Sequence, residues 1–389
     1  MMSGANSVAN SVAVIGVGCR PFGRYQDTTV RTEAVAAARA ALADAGVSWP
    51  QIQYAVGGSM DGGPADTLVA DLGLTGVPFV NVFNGCATGS SSLISAVHTI
   101  SSGAADLALV IGFDSHPRGA FAIDPTAMGL GQWYGSSGLA LTSQFFALKI
   151  QRYLHEHDLS PQLLTKVAAK AFRNGSLNPN AWRRKPLTEA DIDASMMLSD
   201  PLRQYMLCSP GDGATALVLC NAQRAKEFSP HPVYVAASAV RTRRPGSFEV
   251  LAPSLSVRRG VSPSVDAAAA AFELAGIEPG DVALAQLQDT DAGAEIIHMA
   301  ETGLCADGEQ QALIEAGETE LTGRLPINTD GGVLANGEPI GASGLRQIHE
   351  NVLQLRGTAG ERQVPGQPKV ALSHVYGAPG LSGCTLLKR

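Results

Sequence analysis

No stretch of about 18 consecutive apolar residues occurs in this chain, so no membrane-spanning helix is expected. Positive charge is also scarce. The 28 Lys and Arg are outnumbered by 35 Asp and Glu, for a formal net charge of −7. General binding along a phosphate backbone needs a basic face, so nucleic acid is not an expected partner. The 6 cysteines, at positions 19, 86, 208, 220, 305 and 384, form no CxxC pair. That spacing suits reduced thiols rather than a disulfide framework or a zinc site, and no metal-ligating set stands out. The N-terminus lacks a basic stretch followed by an apolar core, so a secretory signal is not expected and a cytoplasmic location is. Charged residues make up only 16% of the chain against 45% hydrophobic ones, the balance of a globular protein with a large core. A length of 389 residues suits two domains or one large duplicated one.

The chain then reads as alternating elements. Residues 11–18 form an apolar run expected to be a buried strand. Thr28 to Ala45 reads as a helix stopped by Gly46. Strands are expected at 54–58, 79–83 and 106–114, which implies a mostly parallel sheet covered by helices on both faces. Residues 119–196 break this rhythm with an insertion holding helices near 142–157 and 161–172, of the kind that forms binding walls. Arg183, Arg184 and Lys185 in that insertion read as a solvated face, and Arg241, Arg243 and Arg244, just before Pro245-Gly246, as a solvated turn. A second series follows: strands at 233–240 and 282–287, helices at 264–275, 292–302 and 345–355, and strands at 369–376 and 384–387.

One turn stands out. Asn84-Gly-Cys-Ala-Thr-Gly-Ser-Ser follows a short apolar run and opens a helix of small residues extending to Ser102. A cysteine at a helix start lies in the positive end of the helix dipole, which favours the thiolate. Free cysteine is also among the most buried residue types, so an inert packed Cys86 stays open on the local pattern alone.

The two series match each other. Ala41-Leu-Ala-Asp-Ala-Gly46 has its counterpart, at constant offset and without a gap, in Ala271-Phe-Glu-Leu-Ala-Gly276. The Cys86 turn corresponds to Asn336-Gly-Glu-Pro-Ile-Gly-Ala-Ser-Gly344, also a glycine-rich turn before a helix. A duplicated α/β half, each copy with its own buried sheet, is expected. Such halves often build a site where equivalent helix starts converge, which would bring Glu338 to Cys86.

Taken together, these stretches resemble the thiolase superfamily, in particular sterol-carrier-protein-X type thiolases and bacterial lipid-transfer thiolase-like proteins. The Cys86 turn, Cys208-Ser-Pro-Gly-Asp-Gly-Ala-Thr-Ala, Gly323-Arg-Leu-Pro-Ile-Asn-Thr-Asp-Gly-Gly, Gly337-Glu-Pro-Ile-Gly-Ala-Ser-Gly and His374-Val-Tyr-Gly carry the resemblance over nearly the whole chain. It implies a five-layered α-β-α-β-α fold with an inserted loop domain. The halves would be 1–118 with 197–226, and 227–389, around the insertion at 119–196. It also implies a homodimer, a coenzyme A thioester as substrate with no bound cofactor, and a small zinc-ribbon/OB-fold partner protein as one kind of assembly. Cys86 matches the acyl-carrying cysteine of the family. The histidine of the family's GHPxG motif is replaced by Glu338, and the HDCF motif by Gln288-Asp289-Thr290-Asp291. The CxG cysteine falls on Val375.

Three readings remain open from this pattern. The first is an acyl-CoA acyltransferase that forms or cleaves a C–C bond through an acyl-Cys86 thioester. A Claisen condensation needs a thiolate, a base and oxyanion donors, and an ionised glutamate cannot donate a hydrogen bond to an oxyanion. The alternative is a retro-aldol lyase acting on a β-hydroxyacyl-CoA, with Tyr376, Asp289 and Glu338 as acid/base groups. A non-catalytic thiolase-like subunit is the third reading. The candidate catalytic set is Cys86, Glu338, His374, Asp289, Gln288 and Tyr376, with Gly341, Ala342, Ser343 and Gly377 as candidate substrate-binding residues. His374 is the best-placed histidine. His116 reads equally as a site wall or as surface.

Overall fold

The computed structural model of the protein describes residues 11–119, 121–122, 124–247, 249, 261–378 and 380–389. Residues 1–10 of the expected N-terminal half, and 248 and 250–260 of the C-terminal half, lie outside these. The first half holds β1 (Val12–Cys19), α1 (Val30–Ala45), β2 (Tyr54–Gly58), β3 (Phe79–Asn81), α2 (Thr88–Ser101) and β4 (Leu107–Ser115). The excursion contributes α3 (Thr142–Glu156) and α4 (Gln162–Ser176) before β5 (Asp212–Asn221). The second half holds β6 (Val233–Thr242), α5 (Pro263–Ala275), β7 (Leu284–Leu287), α6 (Ala292–Glu301), α7 (Ile340–Arg356), β8 (Val370–Gly377) and β9 (Leu381–Lys388). Among the described residues no helix is long and apolar enough to cross a membrane.

The duplication is visible in the strand order, β3-β2-β4-β5-β1-β6-β9-β8-β7. Reading outward from the centre, β1-β5-β4-β2 in one half matches β6-β9-β8-β7 in the other. The helix stops match too: Gly46 ends α1 and Gly276 ends α5, both left-handed, at φ 65 and φ 61. Only a residue without a Cβ takes that conformation at little cost, which is why the same glycine closes both copies.

Two sheet expectations are corrected. The sheet is mixed, not mostly parallel: β1–β5, β4–β5, β6–β9 and β8–β9 are antiparallel, whereas β2–β3, β2–β4 and β7–β8 are parallel. A helical crossover returns a strand parallel, but β8 and β9 are joined by a short turn and β4 and β5 by the long excursion, so these strands run back. Nor are the two half-sheets separate, because Val12–Val14 of β1 pair with Val233–Val235 of β6 and join them edge to edge.

The layers are α1, first half-sheet, α2 with α7, second half-sheet, α5, which is the expected five-layer order. Leu93, Val97 and Ile100 of α2 and Leu345, Ile348 and Val352 of α7 share one buried cluster with residues of both half-sheets. The two inner helices touch backbone to backbone. A Cβ built on Gly89 would lie 2.7 Å from the Leu345 nitrogen. Small residues at this crossing let both helix starts reach one place. The excursion has a separate apolar cluster, including Phe145, Ile150, Leu163 and Val167, which also takes in Leu202 and Met206 beyond it and Ile296 of α6.

Candidate active site

Cys86 sits on the turn before α2, and Glu338 on the turn before α7. The close crossing of these helices brings the two side chains together, close enough for the Glu338 charge to act on the Cys86 thiol. Several long-range bonds hold the α7 start in place. The Gly341 amide donates to Asp114 Oδ2 at 2.8 Å, and the Ile340 amide to His116 Nε2 at 3.1 Å. Because Nε2 accepts, the ring proton is on Nδ1, which donates to Asp61 Oδ2 at 2.6 Å. His116 is therefore neither cavity wall nor surface: it is buried, and fastens one half to the other.

Glu338 is fully buried and collects donors. Ser343 Oγ donates to its Oε1 at 2.6 Å, and Gln288 Nε2 to its Oε2 at 2.7 Å. These bonds favour the charged carboxylate, yet burial outweighs them and pushes the Glu338 carboxyl above its ordinary range. Cys86 is partly exposed to the cavity but otherwise packed in protein. Burial, and then the neighbouring Glu338 charge, push its thiol well above the usual range. The helix dipole expected to favour a thiolate is thus overruled by desolvation and a like charge. Cys208 shares this region: its amide donates to the Thr290 carbonyl at 2.9 Å, and burial and then Glu338 raise its thiol as well.

A cavity of about 530 Å3 opens in front of this pair. Cys86, Glu338, Thr290 and Tyr376 line its polar side, and Met60, Phe83, Phe121, Phe146, Ile340 and Leu381 give it a mostly apolar wall. Phe121, Thr142 and Phe146 come from the excursion. Arg243 is exposed, as the solvated-turn reading expects, and also borders the cavity. Arg183 departs from the expected solvated face, because it stacks on Trp182 at 4.5 Å and donates to Ser209 Oγ at 2.6 Å beside Cys208.

The structure separates the remaining candidates. Tyr376, at the end of β8, lines the cavity and donates its phenol hydrogen to Glu249 Oε2. Gln288 stands behind Glu338 rather than on the wall. Asp289 is buried and does not line the cavity. It accepts from the Val333 amide at 2.7 Å and the Leu334 amide at 3.3 Å, holding the turn that leads to Glu338. His374 is also off the wall: it shares the face of β8 that carries Tyr376 but sits two residues deeper along the strand, where it is fully buried. Its Nε2 lies 2.9 Å from both Ser264 Oγ and Ser382 Oγ, and burial drives its ring well below the ordinary histidine range. Gly341, Ala342, Ser343 and Gly377 support the cavity from behind, while their neighbours Ile340 and Ala378 face it. Gly377 packs on the Cys86 turn so closely that a Cβ there would lie 2.7 Å from the Asn84 oxygen.

Sequence reasoning missed Glu249 and Lys149. Lys149 Nζ lies 4.0 Å from Glu249 Oε2 and 4.9 Å from the centre of the Tyr376 ring. Neither residue sits in a motif, so only the fold reveals them. Among the described residues, no cluster of His, Cys, Asp and Glu is placed to hold a metal ion.

A family model described as "Thiolase C-terminal domain-like" matches residues 256–388. The acetyl-CoA acetyltransferase of Methanothermobacter thermautotrophicus is 33% identical over 95% of this chain and 97% of its own length. Sterol carrier protein 2 of Bos taurus is 31% identical over 100% of this chain and 74% of its own length. Among solved structures, the Ltp2-ChsH2(DUF35) aldolase superposes with a TM-score of 0.87 at 24% identity, covering 98% of each chain. With full-length relatives at this identity, a duplicated five-layer fold and the cysteine turn at the inner helix crossing, the chain belongs to the thiolase superfamily.

Proposed function

We propose that the protein is a retro-aldol lyase acting on a β-hydroxyacyl-coenzyme A thioester, with the apolar cavity holding the acyl group. The observation that carries this reading is that burial, and then the neighbouring Glu338 charge, keep the Cys86 thiol protonated, while Tyr376 on the same cavity wall donates to a carboxylate of its own. Such a site has a poor nucleophile and good acid/base groups. Tyr376 takes the proton of the substrate's β-hydroxyl as its own phenol proton passes to Glu249, which releases it to solvent. The Cα–Cβ bond breaks, its electron pair becoming the enolate of the shorter thioester, and the β carbon leaves as a ketone or aldehyde. The Cys86 thiol then supplies the proton to Cα, and solvent restores it. Atoms and charge balance without any redox cofactor. That the aldolase named above shares this fold is consistent with the reading.

A homodimer is part of the proposal. Strand β3 is a sheet edge; its Val80 (42% exposed), with Phe83 (53% exposed) just beyond the strand, leaves apolar surface there, as an edge that pairs with a second copy would. A zinc-ribbon/OB-fold partner is a further part of it, so activity is to be measured with and without such a protein.

Acyl transfer through an acyl-Cys86 thioester is the second reading, favoured by the position of Cys86 on the cavity wall at a helix start. One experiment separates the two. The protein is incubated with acyl-CoA and with branched β-hydroxyacyl-CoA thioesters, and carbonyl release and intact mass are followed. The lyase releases a ketone or aldehyde, forms no acyl adduct, and retains slowed release in Cys86→Ala. An adduct on Cys86 that disappears in Cys86→Ser, without carbonyl release, establishes acyl transfer instead.

A further inference from the structure

Tyr376 alone would be a weak base, because its phenol carries a proton that must go somewhere before it can take another. The structure supplies an acceptor. Glu249 is 1% exposed, and its Oε2 accepts the Tyr376 hydroxyl. The carboxylate is drawn from the segment after β6, the phenol from β8 and the nearby ammonium of Lys149 from α3 in the excursion. Three distant stretches of chain therefore converge on one proton. Gly380, at φ 103, makes room for the carboxylate: a Cβ there would lie 2.7 Å from Glu249 Cγ.

Burying a carboxylate is costly unless a charge or hydrogen bonds repay it. Here the phenol donates to Glu249 and Lys149 Nζ lies 4.0 Å away, with its side chain only 14% exposed. The same ammonium lies 4.9 Å from the Tyr376 ring centre, on the face where negative charge grows as the phenol loses its proton. A void of about 10 Å3, the size of one water, adjoins these groups, bounded by Lys149, Thr290, Asp291, His298 and Tyr376.

We propose that Glu249, held by Lys149, is the positioning residue that makes Tyr376 the general base of the reaction. This rests on the lyase reading above. In one concerted step the β-hydroxyl proton moves to Tyr376 Oη while the Tyr376 proton moves to Glu249 Oε2, and the Cα–Cβ pair passes to the thioester enolate. Glu249 then returns its proton to solvent. The other titratable groups around this site are Asp291 and His298 on and before α6, Glu301 on α6, His374 on β8, and Arg243 at the cavity.

The test compares wild type with Glu249→Gln, Glu249→Asp and Lys149→Met on a branched β-hydroxyacyl-CoA, reading kcat, KM and pH profile, with thermal melts to confirm folding. Glu249→Gln keeps the hydrogen bond to the phenol but accepts no proton. It is expected to lower kcat about 100-fold or more with KM changed less than about threefold, and to abolish the acid limb of the profile. Glu249→Asp partly restores kcat. Lys149→Met, which removes a cation favouring the carboxylate, moves the acid limb to higher pH. A folded Glu249→Gln with kcat and acid limb unchanged overturns the role of Glu249 alone. Wild type that releases no carbonyl product overturns the lyase reading and this role together.

Discussion

Gln288 Nε2 donates to Glu338 Oε2 at 2.7 Å, joining two residues that stand where the superfamily's catalytic histidines are expected. Together with Ser343 they hold a buried carboxylate beside the Cys86 thiol, where its charge adds to burial in opposing the thiolate.

Glu338→Gln should therefore make Cys86 more reactive. Above the raised pKa of Glu338 the carboxylate is ionised and opposes the thiolate, and the substitution removes that charge while leaving burial in place. Alkylation of Cys86 by iodoacetamide at mildly alkaline pH is expected to quicken on the order of tenfold. Peptide mass mapping measures the rate at this residue, and an unchanged rate would remove Glu338 as the controlling charge.

Asp289→Ala should act on stability. The carboxyl serves the amides of Val333 and Leu334, and its loss leaves both buried donors unpaired. A loss of about 1–3 kcal/mol is expected, read from denaturant unfolding. Any fall in kcat should follow the loss of folded protein, with the pH profile of the remaining activity unmoved.

Stability should depend on pH through Asp291. Burial pushes its carboxyl up to about 7, although it accepts the Ala294 amide at 3.0 Å as the cap of α6. The folded form therefore holds a proton that the unfolded form releases near pH 4. The associated stability is fully present below that value and is lost as pH rises through about 7, with a slope of up to about 1.4 kcal/mol per pH unit between the two. Asp291→Asn keeps a capping oxygen and should flatten that slope. Thermal melts of both proteins from pH 5 to 8 check it, and parallel curves would contradict it.

Val80→Lys tests the dimer. The residue lies on the edge strand β3, and an exposed lysine there opposes pairing with a second copy. Sedimentation should show a dimer for wild type and a monomer for the variant. A wild-type monomer would exclude this interface.

Much of the architecture was legible in the residues. The matched Ala-Gly helix stops at Gly46 and Gly276 announced the duplication, because a left-handed stop favours glycine largely independently of its surroundings. The turn around Cys86 and the turn around Glu338 were recognisable as equivalent helix starts, and their convergence followed from the duplication. Strand direction was less legible: the alternation of strands and helices does not tell whether a connection crosses over or turns back, and β5 and β9 turn back. Local pattern also misjudged His374, because the sequence does not say how far along a strand the cavity reaches: Tyr376 meets it, while His374, on the same face two residues deeper, is buried against Ser264 and Ser382.

The sequence by itself determined the superfamily, the repeat and the identity of the thiol, since each depends on residues close together in the chain. Only the tertiary structure decided the state of that thiol and the partners of Tyr376. The pKa of Cys86 depends on burial and on a carboxylate far along the chain, and both outweigh the local helix dipole that made Cys86 look like a ready nucleophile. Glu249 and Lys149 lie in stretches without any motif, and became part of the site because three segments fold onto the same proton.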